Sequence, residues 1–574
     1  MFQKSNIKEK LIKMRREAEE RDAQRRAQKS DFPYFNLSTS PIDTQALGLI
    51  PENIAKEAKA AAIEIKENKL ALVVYDPNAE SAQKLINELK SRGFQLKIFI
   101  VSLSGLNYAL GFYKFISKDQ EKITSSVKVE SLKEKVVGLD NLGAVLKSIS
   151  SSSGDTAEVL EIIFDGALAN RASDIHFEPT ENKINIRMRV DGILHDIPNN
   201  IEKKFYLHIL SRLKLLSNLK INISDESQDG RFTMEFSQKK VEVRIAIAPS
   251  EFGEVAVMRL LDPDAINLSL IDLGIREDDL EIIKTELKRP NGMILNTGPT
   301  GSGKTTTLYA FLKYKKSSEI KIITIEDPIE YHLEGIEQTQ VDEEAGYTFA
   351  DGLRSLMRQD PDMILVGEIR DKETAEIGVQ AALTGHLVLS TVHANSAAGA
   401  IPRILDLGVK PTSIGPALNL IIAQRLVRKL CENCKSPKKT DKIFQGKIEK
   451  FLEKLPKKIN KEKYKEIKIF NPPAGGCEKC NNSGYKGRIG IYELLLNDPE
   501  YEKLLIDPAH TALSSHKELE ELIISSASES AIKKFALEQE MTTMQQDGIL
   551  KVISGITTLE EVEAVTGPIG SVGS

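Results

Sequence analysis

The segment NGMILNTGPTGSGKTTTLYAFLKY places Gly298, Gly303, Lys304 and Thr305 at the spacing Gly-x-x-x-x-Gly-Lys-Thr. An apolar run, GMILN, precedes the loop and a helix-patterned run follows it. In that context small residues let backbone N–H groups turn inward around a phosphate, and the helix N-terminus adds a favourable field. The expected cradle is Gly298, Pro299, Thr300, Gly301, Ser302, Gly303, Lys304, Thr305 and Thr306. Lys304 is expected to reach the β- and γ-phosphates of ATP, and the Thr305 hydroxyl to hold Mg²⁺.

Phosphate binding alone does not fix a reaction. Two later apolar runs end in acids, as nucleotide hydrolysis requires: KIITIEDPIE carries Glu326, Asp327 and Glu330, and DMILVGEIRD carries Glu368, Arg370 and Asp371. In a parallel sheet such strand ends lie beside the phosphate loop. A carboxylate there can orient Mg²⁺-bound water or polarise the attacking water. Glu368 is favoured as water activator or Mg²⁺-water ligand and Glu326 as its helper; the opposite assignment, and a purely ion-pairing role, stay open. LTGHLVLSTVHANSA adds His386 and His393 at the two ends of an apolar run. His393, at a strand end as Glu368 is, is expected to sense the γ-phosphate or orient the glutamate, and His386 has the weaker case.

The four cysteines form two C-x-x-C pairs, Cys431/Cys434 and Cys477/Cys480, with 42 residues between the pairs. Four thiolates suit tetrahedral Zn²⁺ or an iron–sulfur centre better than a harder ion. The set reads as structural, closing a lysine-rich excursion at 447–470; redox pairs or free thiols are the plainer alternative.

These groups must be positioned by several domains, since 574 residues exceed one hydrophobic core. The expected class is α/β: a multidomain P-loop NTPase with a RecA-like core. Residues 1–39 read as a basic arm, with ten Lys/Arg and five acids in the first thirty positions and Ile7, Leu11, Met14 and Ala18 at helical spacing. That pattern fits either a solvated arm or an amphipathic helix docking on a partner or an anionic membrane surface. A small α/β docking domain follows at 40–115, then a charged linker at 116–150 ending in SISSSSGD. An α/β domain at 151–263 carries arginines on its strands, among them Arg187, Arg189, Arg231 and Arg244. The P-loop core is expected at 264–430, the tetracysteine region at 431–490 and a helical tail at 491–574. The net charge of −5 offers no overall basic excess for sequence-nonspecific nucleic-acid binding. No run approaches the ~18 apolar residues of a spanning helix, and the N-terminus lacks the apolar core of a signal peptide. A cytoplasmic location is expected, with membrane contact only peripheral.

Taken together, the motifs resemble the secretion-NTPase superfamily, specifically the type II secretion assembly ATPases and the extension ATPases of type IV pili. The resemblance rests on the Walker A loop, the acidic box ITIEDPIE, the Walker B run ILVGEIRD, the histidine box GHLVLSTVHANSA and LRSLMRQDPD with Arg354 and Arg358. RASDIHFEP, IRMRVDG, SQDGRF and GEVAVMRLL look like the family domain that precedes the core. The resemblance implies that arginines of this domain approach the nucleotide. Arg231 and Arg244 are the favoured candidates, and Arg187 or Arg189 the alternates. It further implies a homo-hexameric ring working on an inner-membrane platform protein, and a first domain that docks a cytoplasmic or membrane partner. The arginine-leucine-glycine signature of the family's cyclic di-GMP site is not evident near QALGLIPEN, so docking is preferred. A tetracysteine site followed by GYKGRIG resembles the export rather than the retraction ATPases. The expected function is therefore pilus extension, with type II secretion or competence pseudopilus assembly as the alternative and a nucleic-acid translocase behind both.

Overall fold

In the computed structural model the described residues are 16, 18–37, 42–66, 68–115, 126–128, 138–148, 155–236, 239–438, 442–497 and 515–568. The expected arm helix through Ile7, Leu11 and Met14, and most of the linker and of SISSSSGD, lie outside them. Two compact units divide at Leu261/Asp262.

The first unit holds two sheets. Strand β1 (Ala60–Lys66) pairs antiparallel with β2 (Lys69–Val74), which pairs parallel with β3 (Gln95–Ile100). The helix Glu80–Ser91 makes the crossover, burying Ala82, Leu85, Ile86 and Leu89 at the i, i+3, i+4, i+7 spacing its sequence shows. Gly93 ends the turn with φ 91°, a backbone region in which a side chain would be strained. The described part of the basic arm packs on this same domain, where a solvated or partner-seeking arm was the expectation. Ala23 and Ala27 are buried, and Arg26 stacks 4.2 Å over the Tyr75 ring while donating to the Val101 carbonyl. Glu20 accepts from the Tyr34 and Ser102 hydroxyls.

The second sheet has seven strands. β4 (Ser126–Lys128) lies at one edge, followed in space by β8 (Gln228–Glu235), β9 (Lys240–Ser250) and β10 (Gly253–Leu261). Beyond β10 come β5 (Ala172–Pro179), β6 (Ile184–Val190) and β7 (Ile193–Ile197). One face buries Ile175, Phe177, Ile186, Met188, Val243 and Met258 under the helices Thr156–Ala169 and Lys203–Leu216. Strict alternation sends the arginines to the other face.

The second unit is built on a sheet of order β13-β12-β14-β15-β11-β16-β19. Its strands are β11 (Gly292–Thr297), β12 (Ile322–Glu326), β13 (Glu337–Gln340), β14 (Met363–Val366), β15 (Leu387–Val392), β16 (Leu418–Leu430) and β19 (Tyr485–Leu496). A separate ribbon pairs β17 (Ser436–Pro437) with β18 (Phe470–Asn471). All strands of the large sheet run parallel except β19, which is antiparallel to β16. Apolar cores cover both faces: Met293 and Leu295 enter one, Ile294 the other. This is why the strands read as near-continuous apolar runs. The architecture is the multidomain α/β form with a RecA-like core that the sequence led us to expect. The sequence boundary at 490 differs from the structure. β19 crosses it, because GRIGIYELLL pairs along β16 and completes the core sheet. Among the described residues no helix is long and apolar enough to cross a membrane.

Candidate nucleotide site and tetracysteine centre

The phosphate loop joins the buried end of β11 to the helix Lys304–Lys315. Gly298, Gly301 and Gly303 have φ of 150°, 78° and 90°. At Gly298 a Cβ would lie 2.6 Å from the Gln424 carbonyl and from Ser302 Oγ, so only glycine fits. Pro299, Thr300, Gly301 and Thr305 are exposed at the loop mouth, while Ser302 is buried. The Lys304 ammonium donates to the carbonyls of Gly298 (2.8 Å) and Pro299 (3.2 Å). Burial pushes its pKa below the ordinary lysine value, and the neighbouring Glu368 charge opposes that shift. A desolvated ammonium of this kind gains a great deal from an anionic ligand.

β15 lies between β11 and β14, so the histidine box reaches both the phosphate loop and Glu368. Thr297 Oγ1, at the end of β11, donates to the Ala394 carbonyl and accepts from the Ala394 N–H, each at 2.9 Å. Thr391 Oγ1 donates to the Gly367 carbonyl at 2.9 Å. These bonds place His393 Nε2 3.4 Å from Glu368 Oε2. The other carboxylate oxygen of Glu368 meets Arg370 at 2.6 Å. Lys304, Thr305, Glu368 and His393 are thereby gathered at the C-terminal edge of the parallel strands, the set that can bind a nucleoside triphosphate, hold Mg²⁺ and direct water.

Glu326 sits one strand further, only 4% exposed. Its carboxylate accepts from Tyr309 Oη (2.5 Å), Thr324 Oγ1 (2.6 Å) and Gln338 Nε2 (3.1 Å). A Cβ at Gly367 would lie 3.3 Å from the Ile325 carbonyl oxygen, a tight contact, so the glycine before Glu368 eases the approach of the two acidic strands. Glu326 therefore ties the phosphate-loop helix to the sheet. His386 is not brought to this edge. It precedes β15, with Nδ1 3.1 Å from the Ala381 carbonyl. Arg354 pairs on the surface with Asp351 and Glu373, and Arg358 donates to the Arg354 carbonyl.

Two residues that the sequence reading did not single out belong to this site. Gln424, 1% exposed on β16, accepts from Asn296 (2.9 Å) and donates to the Ser302 carbonyl (2.7 Å). Arg425 donates to the Asn395 carbonyl at 2.9 Å, and its guanidinium lies 3.2 Å from where a Gly298 Cβ would stand. The available signal was a Gln-Arg pair inside the apolar run IIAQRLV, since a buried amide must find partners.

In the first unit, strand register assembles an arginine row. The Ser250/Gly253 hairpin sets Arg244 opposite Arg259, and the β8–β9 pairing sets Arg231 opposite Arg244. Arg259 in turn faces Asp174, which faces Arg189. Asp174, nearly buried, pairs with both Arg259 (3.1 Å) and Arg189 (3.4 Å). Arg187 pairs with Glu178 and Asp196. Arg231 is exposed.

The thiols of Cys431, Cys434, Cys477 and Cys480 all lie within 4.8 Å of one another. Sγ···Sγ separations of 3.9 Å (431–477), 3.9 Å (434–480) and 3.7 Å (477–480) match the edge of about 3.8 Å expected for tetrahedral Zn–S₄. The N–H groups of Cys477 and Gly484 both donate to Cys480 Sγ at 3.2 Å. Four soft donors with no carboxylate among them make a closed metal site that fits zinc.

Comparison with known proteins agrees with this geometry. Residues 150–564 match the family described as Type II/IV secretion system protein, and residues 30–111 match the MshEN domain. The Type II secretion system protein E of Dickeya dadantii is 38% identical over 545 residues, covering 92% of this chain and 99% of its own. The Type IV pilus assembly ATPase PilB of Myxococcus xanthus is 34% identical over 541 residues, covering 93% and 89%. The X-ray structure of the Legionella pneumophila ATPase DotB shares the fold, with a TM-score of 0.50 at 20% identity over 73% of this chain and 97% of that one. The chain thus belongs to the type II/IV secretion-system family and is a P-loop ATPase.

Proposed function

We propose that the protein hydrolyses Mg-ATP to drive assembly of an extracytoplasmic polymer through an inner-membrane platform protein, in the manner of type II secretion. The observation that carries the chemistry is the convergence of Lys304, Glu368 and His393 at one strand edge. In this reading Lys304 and the loop N–H groups hold the β- and γ-phosphates, Thr305 holds Mg²⁺, and Glu368 directs water at the γ-phosphate. His393 orients Glu368, and Glu326 keeps the phosphate-loop helix in register with the acidic strands. Arg231 and Arg244 supply charge to the transferring phosphoryl group, as arginine forks do. The active form is a homo-hexamer, and the cysteine set carries Zn²⁺.

The preference for secretion over pilus extension reverses the order suggested by the motifs. It is supported by the 38% identity and 99% coverage of the Dickeya protein against 34% and 89% for the Myxococcus protein. Capture of the full chain on the cytoplasmic loops of platform proteins tests it. Retention on the secretion platform and not on the pilus platform is expected; the reverse selectivity would return the assignment to pili.

A further inference from the structure

Glu368 is held at both oxygens. His393 lies at Oε2 and Arg370 at Oε1, the latter at 2.6 Å. A carboxylate oxygen that accepts from a guanidinium has one of its two lone pairs taken, which leaves fewer directions from which it can hold a water. Arg370 is itself 63% exposed and so is free to move. Beside it opens a pocket of about 590 Å³ lined by Asp327, Asp342, Glu343 and Glu344. Arg370 is the only cationic residue lining it among the described residues. The guanidinium is held firmly protonated, first by its hydrogen bond to Glu368, with Asp327 and Glu343 contributing.

One cation thus has two acidic seats. Asp327 follows Glu326 at the end of β12, and the turn carrying Asp342, Glu343 and Glu344 follows β13, so the second seat is built on β12, which flanks the Glu368 strand, and on β13 beyond it. We propose that Arg370 is a positioning residue that restrains Glu368 in one seat and releases it by swinging into the Asp327/Asp342/Glu343/Glu344 pocket. Rotation of an exposed side chain suffices for the exchange, and the strand ends stay in place. Release leaves Glu368 beside His393 and the Lys304 charge, with both lone pairs of Oε1 open to water. This inference rests on Glu368 as the water-directing group.

The test is single-turnover ATP hydrolysis with the full chain in excess over Mg-ATP, at a protein concentration that saturates binding. Arg370→Ala is expected to raise the rate by about fivefold, the size of an ion pair of this exposure, with nucleotide affinity unchanged. Asp342→Asn combined with Glu343→Gln weakens the second seat and is expected to lower the rate by a similar factor. In the Arg370→Ala background that acidic double variant is expected to change nothing, a dependence that loss of folding would not produce. A slower Arg370→Ala enzyme, or acidic variants acting equally with and without Arg370, would overturn the restraint. Glu368→Gln, run alongside, separates the two readings. If it still hydrolyses, the role of Glu368 itself is wrong; if it is inactive while the Arg370 pattern fails, only the restraint is wrong.

Discussion

His393 and Glu368 stand on the ends of neighbouring parallel strands, with Nε2 and Oε2 3.4 Å apart. The pair is fixed from outside itself. Thr297 holds the backbone after His393, and Thr391 holds the carbonyl before Glu368. Two hydroxyls, Thr297 on the P-loop strand and Thr391 on β15, therefore set the position of the pair, a rigid arrangement suited to preorganised charge.

The same core is tied to its C-terminal helices by buried ions. Asp547, fully buried, meets Arg276 at 3.0 Å and Lys551 at 2.5 Å, and accepts from the Tyr492 N–H at 2.8 Å. Arg276 also pairs with Asp278 and Asp279. Removing Asp547 takes from buried Lys551 its hydrogen-bonded carboxylate and leaves Arg276 to Asp278 and Asp279. Asp547→Ala is expected to cost about 3–5 kcal/mol, read as a shift of the denaturant midpoint.

Glu493 gives a pH dependence with a definite sign. Its oxygens accept from the N–H groups of Ala397 (3.0 Å) and Met544 (3.4 Å), capping two helices at once. Burial raises its pKa above the ordinary 4.5, and those N–H bonds only partly oppose the shift. A raised carboxyl pKa means that the folded state binds the proton more tightly. Its contribution is therefore full below 4.5 and is lost as pH rises through the folded value. Relative to Glu493→Gln, the unaltered protein should lose stability as pH increases from 4.5 upward, measured by urea melts across that range. A difference that is flat or of opposite slope would contradict this.

The arginine row predicts unequal effects from chemically equal changes. Arg231→Ala and Arg244→Ala are each expected to lower kcat by roughly tenfold or more with KM little changed. Arg259→Ala, whose charge is already answered by Asp174, is expected to have a small effect on kcat. Steady-state kinetics on the three variants distinguishes a row that acts by position from one that acts by total charge.

The cysteine centre predicts bound metal. Purified protein is expected to carry one zinc per chain by elemental assay, and Cys480→Ser to lose it with a lowered Tm. Full retention of stability after chelation would argue against a structural metal.

What the sequence revealed and what it withheld divide along a physical line. The phosphate loop, Glu368, His393 and the paired cysteines were legible because their chemistry is carried by local spacing. The helix Glu80–Ser91 was legible from its apolar period. The anchoring of Glu326 by Tyr309 was not, since a helix and a strand meet only through packing. Nor was the Arg231–Arg244–Arg259 row, which depends on the register that two hairpins impose. The boundary at 490 splits β19 between the tetracysteine region and the tail because nothing local says that GRIGIYELLL returns antiparallel to β16. Gln424 and Arg425 interrupt the apolar run IIAQRLV, and only the closeness of β16 to β11 gives them meaning.

The most direct measurement of the central claim is ATP binding and hydrolysis by Glu368→Gln. The amide keeps the shape and the hydrogen-bonding reach toward His393 but cannot take up the charge role. Nucleotide affinity within about twofold of the unaltered protein is expected, since the phosphates are held by the loop and Lys304, together with a fall in kcat of about 100-fold or more. Undiminished turnover in that variant would contradict the assignment of Glu368 as the residue that directs water at the γ-phosphate.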